Sequence, residues 1–263
     1  MQGSVSLPCC YGAGANARQR RLLASHPALG SRSRSGGLRM RTLAPVLCTS
    51  GLAAEARIAR AAGFQVIVGA GDYHRTALLL DAASRRARCF ISFGIAGGLA
   101  PHLKPGDVIL SGEVVGEDRR WCSNPRFADQ LGELAREIGA LRGPVFGARS
   151  ILATESDKAR AWRDTGALSV DLESAAVAHA AEIAGIPFVV LRTIADPATR
   201  EMPPAAMIPL SPGGRPSFLR VFADVIRRPQ QIRAMFGLAR DYRHALEALT
   251  GPAQALRGAF VAA

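Results

Sequence analysis

The 263-residue sequence contains no apolar run approaching the roughly 18 residues that a membrane-spanning helix requires, and its longest clean stretch, Ile186 to Leu191, has the length of one buried strand. A helical membrane span is thereby excluded. The five cysteines, Cys9, Cys10, Cys48, Cys89 and Cys122, are odd in number and form no C-x-x-C pair, which argues against a disulfide framework and against a zinc site. No metal and no organic cofactor is expected, and a reducing cytoplasm is the expected compartment. Lysine is nearly missing: only Lys104 and Lys158 stand among 33 basic residues. Such an arginine bias fits a GC-rich genome, so the formal net charge of +12 is weak evidence for a nucleic-acid partner.

Acidic residues are absent before Glu55, whereas Arg18, Arg20, Arg21, Arg32, Arg34, Arg39 and Arg41 precede it; without these seven the formal charge falls to about +5. This leader lacks the continuous apolar core of a secretory signal. Residues 1–39 are expected to be a disordered leader or the product of a misassigned start, with translation beginning at Met40.

What is present is 48% hydrophobic residues, enough for a folded core, arranged in alternating short apolar runs and helical stretches. Apolar runs at 42–49, 65–68, 89–93, 107–115, 145–153, 168–171 and 188–194 read as strands. Stretches at 52–62, 73–86, 125–139 and 173–184 read as helices, the last closed by Gly185 with Pro187 ahead of the next strand. Strands this apolar are covered on both faces, which predicts an α/β fold: a three-layer αβα sandwich around a mainly parallel mixed sheet. One catalytic domain is expected over residues 40–214. Residues 215–263 read as a basic amphipathic helical tail, broken at Pro229, with Phe218, Val221, Phe222, Val225 and Ile226 on one stripe that either packs on the domain or a second subunit or lies on an anionic membrane.

Sites of such sheets lie beyond the carboxyl ends of the strands. Glu173 and Asp196 draw attention there. A helix of about 11 residues carries the chain roughly 16 Å away from Glu173 and the following strand returns it by about 20 Å, so both carboxylates finish at one edge of the sheet. Taken singly, each has a structural explanation: Glu173 as an acid in a first helical turn, Asp196 as a turn former before Pro197. Their convergence, with an equally placed Glu55, favours chemistry. Gly94-Ile95-Ala96-Gly97-Gly98 lets backbone approach a ligand and can present N–H groups to an anion. Gly69-Ala70-Gly71 follows a strand, but His74 stands where a dinucleotide fingerprint needs its third glycine.

The segment Phe93-Gly94-Ile95-Ala96-Gly97-Gly98-Leu99-Ala100-Pro101-His102-Leu103-Lys104-Pro105-Gly106-Asp107-Val108 resembles the central signature of the purine nucleoside phosphorylase and methylthioadenosine/adenosylhomocysteine nucleosidase superfamily. Val170-Asp171-Leu172-Glu173-Ser174-Ala175-Ala176 and Leu191-Arg192-Thr193-Ile194-Ala195-Asp196 resemble its other two signatures, in the family's order and spacing. The resemblance implies cleavage of a purine N-glycosidic bond, with Asp196 as the acid that protonates N7. Glu173 would hold the ribose hydroxyls, and Glu55 would orient an attacking water. To remain protonated, Asp196 is expected to be partly buried or set beside other carboxylates.

Ile95, Leu172 and Ala195 replace more polar or more flexible family residues, making the pocket with Gly97 more apolar. Together with the turn at 195–198, Pro203, Pro204 and the basic tail, this resembles the hopanoid-associated phosphorylase subfamily. The implied substrate is a 5′-substituted adenosine, adenosylhopane in particular, with adenine released in hopanoid biosynthesis. A methylthioadenosine/adenosylhomocysteine-type nucleosidase or a general purine nucleoside phosphorylase is the alternative. Water and phosphate both stand open as nucleophile; Arg57, Arg75 and the loop at Gly94 are the candidates for a phosphate co-substrate. Expected partners are a small-molecule or lipid-linked nucleoside, a second copy in a homodimer, and an anionic membrane at the inner face of the cell membrane, without specific nucleic acid. Two rivals fare worse. A dinucleotide-dependent oxidoreductase would need an acid where the strand ends in Phe93-Gly94, and a nucleic-acid binder would need interleaved aromatics or a basic recognition helix.

Overall fold

The computed structural model describes residues 44–261, so the expected leader and the proposed start at Met40 lie outside the described residues. Among the described residues, nine strands form one mixed sheet. In chain order, β1 (Val46–Ser50), β2 (Gln65–Val68) and β3 (Cys89–Gly98) pair in parallel, in the order β2-β1-β3. β3 continues the sheet in two directions. Along its length it pairs in parallel with β9 (Phe188–Asp196), and at Gly97 and Gly98 it pairs antiparallel with β8 (Ser169–Asp171). β8 runs parallel to β7 (Val145–Gly147), and β7 to β5 (Glu113–Val115); β6 (Arg120–Cys122) closes that edge antiparallel to β5. β4 (Val108–Ser111) lies antiparallel on β9.

The pleat divides the side chains of the strands between two cores. On one face Val46, Cys48, Ile91, Phe93, Val189 and Leu191 meet residues of α1 (Ala53–Ala61), α3 (Ala128–Glu137) and α8 (Thr250–Val261). On the other, Leu47, Phe90 and Val190 meet Leu80 of α2 (Tyr73–Ser84) and Val177, Ala178 and Ala181 of α5 (Ser174–Ala184). Helix, sheet, helix is the three-layer arrangement the apolar strands called for.

The run expected at 107–115 is two strands, because the chain changes partners at Gly112, from β9 to β6 and β7. The run at 145–153 stays in the sheet only to Gly147. Beyond it the Ala148 N–H donates to the Asp171 carbonyl at 2.8 Å and the chain turns outward.

Helix α4 (Glu155–Thr165) had no counterpart in the sequence reading. Its signals are nonetheless present: Thr154 accepts the Asp157 N–H at 3.1 Å, Glu155 and Asp157 occupy the first turn, and Gly166 ends it at φ +67°.

The end of the 215–263 segment packs on the domain, one of the two readings its pattern allowed. The segment forms α6 (Phe218–Arg227), a 3-10 turn at Pro229–Gln231, α7 (Ile232–Ala248) and α8. Leu249, Ala253, Leu256 and Phe260 are buried in the first core, and Thr193 of β9 donates to the Ala245 carbonyl at 2.8 Å. The sparse charge from Ala245 to Phe260, diluted by alanine and glycine, carries a buried face that the basic stretch before it disguises. Of the expected stripe, Val221 and Val225 are half-buried and Ile226 is exposed, and the side chains of Phe218 and Phe222 lie outside the described ones.

Candidate active site

A cavity of about 900 Å³ opens at the carboxyl ends of β1, β2, β3, β8 and β9, and Glu55, Glu173 and Asp196 all face it. Each is placed by a different local device. Glu55, in the first turn of α1, accepts the Leu52 N–H at 2.8 Å with one oxygen and the Ile95 N–H at 2.8 Å with the other. One side chain thus caps its own helix and spans to the glycine loop of β3. Glu173 stands at the N-cap of α5 and accepts the Gly71 N–H at 2.9 Å. Asp196 is the last residue of β9.

Close packing explains the glycines. A methyl group at Gly51 would strike the Glu173 carboxylate, and one at Gly94 would strike both the Glu55 carboxylate and the Arg192 guanidinium. At Gly97 it would press on Val170 at 3.2 Å and on Asp196 at 3.3 Å. The turn from β2 to α2 holds Ala70 at φ +63° and Gly71 at φ +74°, and so aims the Gly71 N–H at Glu173.

Arg192, fully buried in the middle of β9, ties the acids together. It donates to Asp171 at 2.8 Å and to Ser92 at 2.7 Å and stands 3.7 Å from Glu173. Asp171 in turn accepts the N–H groups of Glu173 (2.9 Å) and Ser174 (2.7 Å), capping α5. Burial alone would weaken the hold of Arg192 on its proton, but Asp171, Glu173 and Glu55 more than reverse this. Burial pushes the Glu173 carboxyl up to about 7; Asp171 and Glu55 add to the rise, and Arg192 and the Gly71 N–H oppose it. Glu55 is raised for the same leading reason, against Arg192 and its backbone donors.

Asp196 is buried, one of the two surroundings expected for it, while the group beside it is not a carboxylate but the ammonium of Lys158 on α4, which donates to Asp196 Oδ2. Arg192 sits inside a motif that was recognised, yet its role as a bridge among three acids had no signature in spacing. Lys158 was missed because its helix was.

The remaining expected residues separate clearly. Leu172, Ile95 and Gly97 line the cavity. Arg75 stands at its rim and donates to the Pro212 carbonyl at 3.1 Å. Arg57 is exposed on α1 and is not part of the lining, and Gly94 lies beneath Glu55 and Arg192 with no room for an anion. Two of the three phosphate candidates therefore fail on position. The outer cavity wall is apolar and includes Ile151, Leu152, Met202, Met207, Ile208 and Leu210. Among the described residues no cluster of His, Cys, Asp or Glu could hold a metal ion.

The family model described as the phosphorylase superfamily matches residues 46–208. A 5′-methylthioadenosine/S-adenosylhomocysteine nucleosidase from Haemophilus influenzae (strain 86-028NP) is 28% identical over 128 residues, covering 41% of this chain and 56% of the relative. The nucleosidase of that name from Pseudoalteromonas translucida is 29% identical over 150 residues, covering 49% and 63%. The chain thus spans somewhat over half the length of these curated relatives. Among solved structures, the 5′-methylthioadenosine/S-adenosylhomocysteine nucleosidase of Neisseria meningitidis in complex with methylthio-immucillin-A superposes with a TM-score of 0.61 at 17% identity, over 82% of this chain and 100% of that one. A futalosine hydrolase mutant of Helicobacter pylori strain 26695 superposes at 0.55 and 13% identity, over 79% and 97%. At these identities the structural likeness bears on the fold.

Proposed function

The chain belongs to the phosphorylase superfamily, and from that membership we propose that it hydrolyses the N-glycosidic bond of a 5′-substituted adenosine and releases adenine. The observation that carries this reading is the meeting of Glu55, Glu173 and Asp196 in the lining of one cavity, each held by a separate element. In the proposed reaction Asp196 gives its proton to N7 while the C1′–N9 bond breaks and its electron pair goes to the purine. Glu173 accepts the ribose hydroxyls and offsets the positive charge growing on the ring. Water adds to C1′ and surrenders its proton to Glu55.

Water is favoured over phosphate because the Ile95 N–H, which a glycine loop could offer to an anion, is already given to Glu55. The flanking carboxylates would repel a phosphate, and the deeply placed guanidinium of Arg192 is engaged by acids. The finer reading is adenosylhopane as substrate, in hopanoid biosynthesis. A cavity of about 900 Å³ stands at the upper end of the ~300–1,000 Å³ usual for small ligands, and its outer wall of Ile, Leu and Met suits a large apolar 5′ group. A homodimer and a cytoplasmic location peripheral to the inner face of the membrane complete the proposal.

The test is adenine release from adenosine, 5′-methylthioadenosine and adenosylhopane, with and without phosphate, by wild type and Asp196→Asn. The expected outcome is a preference for the apolar substrate, no change of rate or product with phosphate, and a loss of at least ~100-fold in the folded variant. Formation of a ribose 1-phosphate would establish phosphorolysis instead. Near-normal turnover by a folded Asp196→Asn would remove Asp196 from the chemistry.

A further inference from the structure

We infer that Lys158 is a positioning residue for Asp196: its ammonium group holds the Asp196 carboxyl in the cavity wall and stabilises the negative charge left there once the proton has passed to the purine. The inference rests on the reading of Asp196 as the proton donor.

Lys158 is 1% exposed, in the second turn of α4. Its Nζ donates to Asp196 Oδ2, to the Pro197 carbonyl at 3.1 Å and to the Arg200 carbonyl at 3.0 Å. An ammonium has three donors, and all three are used. Lys158 is therefore not free to bind substrate, and it acts on the site through Asp196. Desolvating an ammonium costs several kcal/mol, and an apolar residue on a buried helix face would pack without that cost. The neighbours of the ammonium give its placement a use. With Oδ2 held by Lys158, Oδ1 is the oxygen left for a ligand. The two carbonyls belong to the turn directly after β9, so acid and turn are fastened to α4 as one piece.

The electrostatic part follows from the proposed step. The Asp196 carboxyl gives its proton to N7 as the electron pair of the C1′–N9 bond enters the purine, and the carboxylate that remains is the conjugate base of that step. A fixed ammonium one hydrogen bond away stabilises that charge as it develops. Other charged groups near Asp196 are engaged elsewhere: the Arg200 side chain with Asp241, and Glu173 and Glu55 on the Arg192 side of the cavity.

The full chain carrying Lys158→Met, Lys158→Gln, Lys158→Arg, Asp196→Asn or the Lys158→Met/Asp196→Asn pair tests this with 5′-methylthioadenosine. Lys158→Met and Lys158→Gln are expected to lose at least ~10-fold in kcat with KM changed by no more than about threefold, and Lys158→Arg to retain more than either. The double variant should be no slower than Asp196→Asn alone, because Lys158 has nothing to act on once the acid is gone. A riboside whose leaving group needs no proton, p-nitrophenyl β-D-ribofuranoside, should be cleaved by Lys158→Gln at close to the wild-type rate. Additive losses in the double variant, equal losses on both substrates, or wild-type kcat in Lys158→Gln would overturn the inference. Lys158→Gln keeps a donor for the two carbonyls, so it provides the readout should Lys158→Met fail to fold. An active Asp196→Asn would instead overturn the reading of Asp196, and the two failures are distinct.

Discussion

Glu173 carries a charge that its surroundings resist. Its carboxyl is pushed up to about 7, first by burial and then by Asp171 and Glu55, from an ordinary value of 4.5. In the proposed reaction Glu173 holds the ribose hydroxyls beneath a growing cation and must be ionised, so kcat/KM is expected to fall about tenfold per pH unit below pH ~7. Stability runs the other way. Between pH 4.5 and 7 the folded protein keeps a proton that the unfolded chain releases, so raising the pH through this window destabilises the fold, fully so above 7. Glu173→Gln should therefore be inactive yet melt above wild type at pH 8, by roughly 2–6 °C, with the gap closing at pH 5. Thermal melts of both proteins at the two pH values check this; a variant that melts lower at pH 8 would mean that Glu173 chiefly holds Arg192 in place. Glu55, Glu173 and Asp196 were legible in the sequence because strand ends and helix starts fix where such residues project. Arg192 and Lys158 were not, since their work depends on buried pairings between elements far apart in the chain.

At the scale of elements, strong apolar runs were legible to within a residue or two: β2 at 65–68, α5 from Ser174 to Gly185, β9 from Phe188. These are places where burial and boundary residues agree. Short edge strands such as Arg120–Cys122 have three residues and one buried side chain, too little pattern to read. Helix α4 is mostly charged outside and buries Lys158, so its periodicity is inverted relative to an ordinary amphipathic helix. Helix α8 misled in another way, because its alanines and glycines hide a buried stripe of Ala253, Leu256 and Phe260 that packs beside α1 and α3. Leu256→Ala should thus destabilise the protein by about 2–5 kcal/mol, as for a fully buried leucine. Denaturant unfolding measures it. A loss below ~1 kcal/mol would return α8 to the status of a dispensable tail.

At the scale of the whole molecule, the proposed apolar substrate would need a route to the cavity from a membrane surface. Among the described residues no helix is long and apolar enough to cross a membrane. Helix α6 packs on the 3-10 turn at Pro204–Met207, and Met207 of that turn lines the cavity. The elbow from α6 to α7 exposes Ile226 (64%), Ile232 (41%) and Phe236 (74%), beside the exposed Arg227, Arg228 and Arg233. Nearby acids are already engaged: Asp241 by Arg200 and Arg240, and Asp224 by Gln231. Three free cations at an anionic surface contribute on the order of 1 kcal/mol each, and the exposed apolar side chains add their insertion. Because α8 belongs to the core, point substitutions test this better than truncation. Flotation with vesicles containing phosphatidylglycerol is expected to carry the protein at low salt and to lose it at high salt. Ile226→Ser/Ile232→Ser/Phe236→Ser and Arg227→Glu/Arg228→Glu/Arg233→Glu should each abolish flotation and leave turnover of 5′-methylthioadenosine unchanged, since neither set touches the cavity. If the wild type stays with the pellet at every salt concentration, or the arginine variant floats as well as wild type, the elbow has no part in substrate delivery and the proposed apolar nucleoside would have to arrive from solution.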